Sequence, residues 1–118
     1  MNIYIIREKI DRIKLDKISE ENFGRGEMIK GVVDIKRGVI ALGGELHADA
    51  EEKLLEDGSH QDDLWGFNIY PQKPEQDWIE YTSFINIRPE QNNRSMEVED
   101  ENLQKTIRRI VTQLVERS

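Results

Sequence analysis

Residues 29–43 constrain the fold most, because their apolar side chains follow the period of a β-strand on both sides of a turn. Val33 and Val32 lie next to each other and therefore point to opposite faces of an extended chain. Gly38 can adopt the positive φ that a tight turn needs, and residues 39–42 then return as a strand rich in β-branched side chains. The pattern predicts a β-hairpin.

A second hairpin is predicted over residues 63–88. The first strand places three large apolar side chains on one face: Trp65, Phe67 and Ile69. Pro71 and Pro74 restrict the connection, and the returning strand is predicted from Trp78 to Arg88. Pro89 ends it, because proline cannot donate a hydrogen bond to a strand ladder.

The first helix is predicted between Asp11 and about Asn22. Asp11 is a good N-cap, and Leu15 and Ile18 are spaced three residues apart on one helical face. The sequence 23–26 (FGRG) is predicted to end the helix, since glycine tolerates the left-handed conformation of helix exits.

Two further helices have start signals of their own. Asp49 followed by Glu52 predicts a capping box, and Gly58 is placed to end that helix. Asp100 predicts the start of the last helix, whose apolar residues recur at helical spacing: Leu103, Ile107, Ile110, Val111 and Leu114.

The elements together predict one α+β domain over residues 1–118, with the order helix, hairpin, helix, hairpin, helix. The hairpins have one apolar and one mixed face, which favours a roll-like fold with a four-stranded, mainly antiparallel sheet and helices packed on one face. Residues 3–6 are predicted to form a short edge strand or simply to cover the core.

Composition excludes several classes of function. The chain has no cysteine, which rules out disulfides, thiolate catalysis and cysteine zinc sites. The net charge of −7 disfavours nucleic acid and anionic membranes as partners. No apolar stretch approaches the ~20 residues of a membrane span. We therefore expect a cytoplasmic protein with neither nucleic-acid nor membrane partners.

The segment Gly44–Asp49 contains three alternating polar residues that could meet at a divalent metal: Glu45, His47 and Asp49. Asp49 is already needed as a helix cap, and a further strong ligand would have to come from elsewhere. The alternative is that His47 bonds to backbone near the helix entry and Glu45 is solvated. We expect no metal and no cofactor.

Arg88 and Arg94 form a second candidate site, since arginine side chains at a helix entry suit a carboxylate or phosphate. The alternative is internal pairing, with Arg88 against Asp34 or Glu80 and Arg94 against the acidic residues 97–99. No glycine-rich phosphate loop and no nucleophile–base pair at a recognisable spacing is present.

The mixed face of the second hairpin is the candidate contact surface. Trp78 is out of phase with the returning strand, so it belongs either to the core or to an exposed rim of this face. The remaining residues of the predicted surface are Tyr70, Glu80, Thr82, Asn86 and Arg88.

Five stretches resemble a small bacterial family of uncharacterised proteins widespread in cyanobacteria. They are ENFGRGEMIKGVVDI, GVIALGGELHADAEEKLLEDGS, DLWGFNIYP, WIEYTSFINIRP and NRSMEVED. The resemblance implies an α+β roll with no assigned enzymatic activity and no catalytic residues to carry over. One cyanobacterial member is associated with regulation of biofilm formation.

The favoured function is therefore that of a non-enzymatic regulatory or adaptor protein that acts through protein contacts, self-association included. The resemblance extends this expectation to control of biofilm formation. The alternative is a small-ligand or anion-binding protein, or less readily a hydrolase, that uses residues Gly44–Asp49 with Arg88 and Arg94.

Overall fold

A computed structural model of the protein describes residues 2–22 and 27–118. The helices and strands are, in chain order, β1 (Ile3–Ile6), α1 (Arg12–Asn22), β2 (Ile29–Asp34), β3 (Val39–Gly43), α2 (His47–Glu56), β4 (Leu64–Ile69), β5 (Ile79–Glu80) and α3 (Glu101–Leu114). Short 3₁₀ turns occupy residues 61–63, 75–77, 84–86 and 89–91. The predicted helix exit at 23–26 lies outside the described residues.

The strands form one antiparallel sheet in the order β1-β3-β2-β4-β5. An α+β fold with three helices and an antiparallel sheet is thus confirmed, and so is the hairpin of β2 and β3. The predicted number of four strands and the predicted element order, which begins with a helix, are both wrong, because β1 precedes α1 and adds a fifth strand at the sheet edge. Its residues pair with β3 from Ile3 opposite Gly43 to Ile6 opposite Ile40.

The helices cover both faces of the sheet, so the prediction that they pack on one face is wrong. Helices α1 and α3 pack on the face that carries Ile40 and Phe67. Helix α2 packs on the opposite face, through Ala50 and Leu54. The physical reason is that the central strands are apolar on this second face as well, where Val32, Ala41 and Leu64 are fully buried.

The helix starts were predicted correctly at two of three places. The Asp11 carboxylate accepts a hydrogen bond from the Lys14 N–H at 2.8 Å, and the Asp100 carboxylate caps α3 in the same way. The capping box at Asp49 is wrong, because α2 already begins at His47 and has no side-chain cap. Asp49 lies instead in the first turn, where the helix dipole favours a carboxylate.

The predicted returning strand of the second hairpin is largely wrong. Only Ile79–Glu80 pairs with β4, opposite Ile69 and Asn68. Residues 81–83 then pair with residues 96–98: the Ser83 N–H donates to the Met96 carbonyl at 3.0 Å, and the Val98 N–H donates to the Tyr81 carbonyl at 2.9 Å. The loop 84–95 is consequently folded back beside β4.

Candidate functional site

The loop after β5 is anchored by side-chain amides where the prediction had placed a strand. Asn86 is fully buried; its Oδ1 accepts from the Gly66 N–H at 2.8 Å and its Nδ2 donates to the Gly66 carbonyl at 3.0 Å. The Asn93 Nδ2 donates to the Asn86 carbonyl at 2.7 Å. These contacts give the loop a fixed position, because buried amide groups must be paired.

Phe84 is held on the outside of this anchored loop. Its neighbour Ser83 is buried, and the Ser83 hydroxyl accepts a hydrogen bond from the Ile85 N–H that closes the turn 84–86. Gly66 in β4 has no room for a side chain, since an added Cβ would lie 2.5 Å from the Ser83 Cβ. The chain therefore packs tightly beneath the turn while Phe84 is 77% exposed.

Three exposed apolar side chains form a patch around this turn, which we call the Phe84 surface: Leu46, Phe84 and Ile87. Leu46 is 58% exposed and Ile87 is 43% exposed. Leu46 and Phe84 line one shared cavity, and Phe84 and Ile87 line a second one. Exposed apolar residues that occur singly are ordinary, whereas a patch beside cavities is typical of a contact site.

The first cavity, which we call the apolar cavity, lies between α2 and the turn at Phe84. Its volume is about 230 Å³, and its lining consists of Lys30, Leu46, His47, Ala48, Ser83, Phe84 and Ile85. The His47 Nε2 lies 2.9 Å from the Phe67 carbonyl oxygen. A carbonyl can only accept, so this contact places the proton of the neutral ring on Nε2.

The electrostatics of His47 favour that neutral ring. Burial lowers the pKa of His47 below its usual 6.5, and the positive charge of Lys30 acts in the same direction. The hydrogen bond to the Phe67 carbonyl, the nearby polar side chain of Asn68 and the charge of Glu80 oppose the shift. At neutral pH the apolar cavity therefore contains an uncharged imidazole.

The second cavity, which we call the acidic cavity, lies on the other side of Phe84. Its volume is about 260 Å³, and its lining includes the carboxylates of Glu51, Asp62 and Glu90 and the guanidinium of Arg88. The Arg88 Nη2 lies 3.3 Å from the Glu51 Oε2, and the guanidinium lies 4.8 Å from the centroid of the Trp65 ring. The lining has a net negative charge.

The ion pair of Arg88 and Glu51 is largely buried, since their side chains are 7% and 12% exposed. Burial lowers the pKa of Arg88, and the charges of Glu51, Asp62 and Glu90 oppose that shift. Arg88 thus has its counter-charge within the fold. Neither Asp62 nor Glu90 forms a salt bridge with any residue in 2–22 or 27–118.

The structure separates the predicted metal-site residues. His47 bonds to β4, whereas Glu45 is exposed and its backbone carbonyl accepts from the Lys30 Nζ at 2.6 Å. Asp49 is exposed in the first turn of α2. Over the described parts of the chain, no three His, Asp or Glu side chains are grouped so that they could hold a metal ion.

The predicted anion corner is not assembled around Arg88 and Arg94. Arg88 pairs with Glu51 and with neither of the partners considered from the sequence, Asp34 and Glu80. Arg94 is exposed and is not among the residues that line the acidic cavity; its backbone N–H donates to the Glu99 carboxylate at 3.0 Å.

Only part of the predicted contact face is accessible. Tyr70 and Glu80 are hydrogen-bonded to each other at 2.9 Å on the rim, where burial and the Glu80 carboxylate raise the pKa of Tyr70. Asn86 and Arg88 are buried. Trp78 is only 2% exposed and belongs to the core cluster that also contains the buried residues of α3. The side chains of these three residues are buried in the fold, so they are not accessible to a partner.

The sequence contains only a weak signal for the Phe84 surface, which the predicted contact face does not include. Leu46 is a lone large apolar residue in the polar segment GGELHAD, and Phe84 is out of phase with the apolar side chains of the predicted returning strand. Each is unremarkable alone. Their proximity depends on the folded loop after β5, which no local pattern predicts.

Comparison with known proteins identifies a family but no function. The family model described as "Protein of unknown function (DUF5674)" matches residues 4–114. No curated protein and no solved structure was found to match the chain. None of the helices within the described residues has both the length and the apolar character needed to cross a membrane.

Proposed function

The chain belongs to the DUF5674 family, and we propose that it is a non-enzymatic adaptor or regulatory protein that binds another protein through the Phe84 surface. The observation that supports this most directly is the 77% exposure of Phe84 on a loop that is otherwise tightly anchored. A large aromatic side chain held outward at a fixed position is the kind of residue that anchors protein interfaces.

The size of the cavities favours a protein partner over a small ligand. At about 230 and 260 Å³, each is smaller than the roughly 300–1,000 Å³ of typical ligand sites. Each can accept a side chain that projects from a partner. The alternative, anion binding through Arg88, has little support because Glu51, Asp62 and Glu90 surround that guanidinium.

The test is photo-crosslinking with a benzophenone amino acid at position 84 in the native cell. Ile13 is a matched control, since it is 80% exposed but lies on α1, which packs on the opposite face of the sheet. We expect a discrete protein adduct from position 84 and none from position 13. A second copy of the chain is one candidate partner and would appear as a homodimeric adduct.

A second change in the same surface makes the test specific. Leu46→Ser, which removes another exposed apolar residue of the Phe84 surface, is expected to reduce the adduct strongly. Identical adducts from positions 84 and 13, or an adduct that is unaffected by Leu46→Ser, would contradict the proposed function.

The resemblance to a cyanobacterial family extends the proposal to a cytoplasmic role in the regulation of biofilm formation. Replacement of the native gene by a Phe84→Ser variant is the corresponding experiment. We expect deletion of the gene and the Phe84→Ser variant to alter biofilm mass in the same direction, and Ile13→Ser to have no effect. Equal biofilm mass in the Phe84→Ser and unaltered strains would show that biofilm formation does not depend on the Phe84 surface.

A further inference from the structure

The charges around the Phe84 surface define the chemistry of its partner more closely. We propose that the occupant is a protein segment that presents a lysine or arginine beside a large apolar side chain. This inference rests on the proposed function and specifies the partner of the same surface.

The acidic cavity is the part of the surface that selects a cation. Glu51 already has Arg88 as its partner, whereas Asp62 and Glu90 are exposed and form no salt bridge within the described residues. An incoming ammonium or guanidinium group would therefore meet two carboxylates without having to break an existing pair. It would also lie beside the exposed ring of Phe84, whose face attracts cations.

The apolar cavity is the part that selects an uncharged side chain. Leu46, Phe84 and Ile85 contribute apolar surface, and His47 is held neutral by burial at its inner wall. The two cavities share Phe84 and Ile85 in their linings, so they adjoin each other across that ring. A single segment laid across Phe84 would fill both.

The charge of the whole chain favours the same partner. The sequence contains 24 acidic and 17 basic residues, and the resulting negative field attracts a basic segment and accelerates its association. The same field opposes nucleic acid and anionic lipid at this site. A small amine would satisfy the acidic cavity but would leave the apolar cavity and most of Phe84 uncovered.

The probe is a phage-displayed library of short random peptides, selected on the full chain. We expect the enriched peptides to contain lysine or arginine at a fixed spacing from leucine, isoleucine, methionine or phenylalanine. An enriched peptide, labelled with a fluorophore, then gives dissociation constants by anisotropy. Its affinity should fall as the salt concentration rises.

Charge reversal at the acidic cavity tests whether the basic residue of the peptide binds there. Asp62→Lys and Glu90→Lys should each weaken binding about tenfold or more at low salt, because they place like charges opposite each other. Glu20→Lys is the matched control, since Glu20 is exposed on α1 and undergoes the same change of charge. Circular dichroism verifies that each variant is folded.

The outcomes separate this inference from the proposed function. Phe84→Ser should weaken the peptide about tenfold or more, and Ile13→Ser should leave its affinity unchanged. If peptides depend on Phe84 but contain no basic residue, or respond equally to Asp62→Lys and Glu20→Lys, the partner chemistry is wrong and the contact function remains. If no Phe84-dependent peptide is enriched, both are contradicted.

Discussion

The side-chain amide of Asn86 pairs with both backbone groups of Gly66, accepting from its N–H at 2.8 Å and donating to its carbonyl at 3.0 Å. A neighbouring strand would normally satisfy these groups of β4. Asn86 replaces that strand, and its Nδ2 also donates to the Met96 carbonyl at 3.1 Å. The turn that contains Phe84 is thereby fixed to the sheet.

Asn86→Ala should therefore destabilise the protein well beyond the loss of an ordinary surface contact. The change leaves buried backbone groups of Gly66 unpaired, which we expect to cost about 2–3 kcal/mol in the free energy of unfolding, measured in urea. Asn102→Ala is the control, because Asn102 is exposed on α3 and should shift stability by less than about 0.5 kcal/mol. An Asn86→Ala cost as small as that of the control would contradict the anchoring role.

This contact also explains why the second hairpin could not be predicted from its sequence. The first hairpin is local: alternation in β2 and β3 and a glycine at φ +70° in the turn specify it within a short stretch. Residues 78–88 alternate as well, but the partner of residues 81–83 is 96–98. A period-two pattern indicates an extended chain but does not specify which other segment pairs with it.

The sequence contains enough information to predict that α2 packs on the second face of the sheet, although the alternation within the hairpins favours one-sided packing. Residues 39–42 form an uninterrupted apolar run, which is typical of a strand that is buried on both faces. That pattern predicts helices on both sides of the sheet. The Phe84 surface was not recoverable in the same way, because Leu46 and Phe84 meet only after the loop beyond β5 has folded back.

Arg88 and Glu51 should behave as a structural pair. Arg88→Met keeps an unbranched apolar stem beside Trp65 but leaves the largely buried Glu51 carboxylate without its partner, at an expected cost of about 3 kcal/mol. Adding Glu51→Gln should restore part of that loss. Thermal or urea denaturation of the two single variants and the double variant gives the coupling energy.

The partly exposed pair of Arg12 and Asp16 is the control for that cycle. Their side chains are 25% and 45% exposed and lie four residues apart on α1, so Arg12→Met with Asp16→Asn should show a coupling of only about 0.3–0.5 kcal/mol. A coupling for Arg88 and Glu51 no larger than this would mean that the pair contributes little to the fold, and would return Arg88 to the list of ligand-binding candidates.

His47 should make the stability of the protein fall in mildly acidic solution. Burial lowers its pKa in the folded state below the 6.5 of an exposed imidazole. The unfolded chain therefore binds the proton first as pH decreases through 6.5, and stability is lost between that value and the lower pKa of the folded state. Above 6.5 the ring is neutral in both states and this dependence disappears.

Denaturation of the protein and of His47→Gln between pH 7.5 and pH 5, a range of about one unit or more on either side of the usual imidazole pKa, measures this effect. The variant should show a smaller loss of stability over the same range. An NMR titration of the ring protons gives the pKa itself. A His47 pKa at or above 6.5, or equal pH dependence in both proteins, would show that the apolar cavity does not favour the neutral ring.

Phe84 should contribute almost nothing to folding although it is a large aromatic residue. Its side chain is 77% exposed, so Phe84→Ala should change the free energy of unfolding by less than about 0.5 kcal/mol. Phe67 is the contrasting residue, because it is fully buried and an added Cβ at Gly31 would lie 2.4 Å from its ring. Phe67→Ala should cost about 3–5 kcal/mol.

The comparison of these two phenylalanines shows whether the ring of Phe84 stabilises the fold or is available for contact with a partner. Both variants are measured by urea denaturation under the same conditions, and the slope of each transition verifies that the same surface is exposed on unfolding. If Phe84→Ala costs more than about 1 kcal/mol, its ring stabilises the fold, and the effect of Phe84 variants on binding could not be assigned to a lost contact. A near-zero cost leaves an ordered, exposed aromatic side chain for a partner to cover.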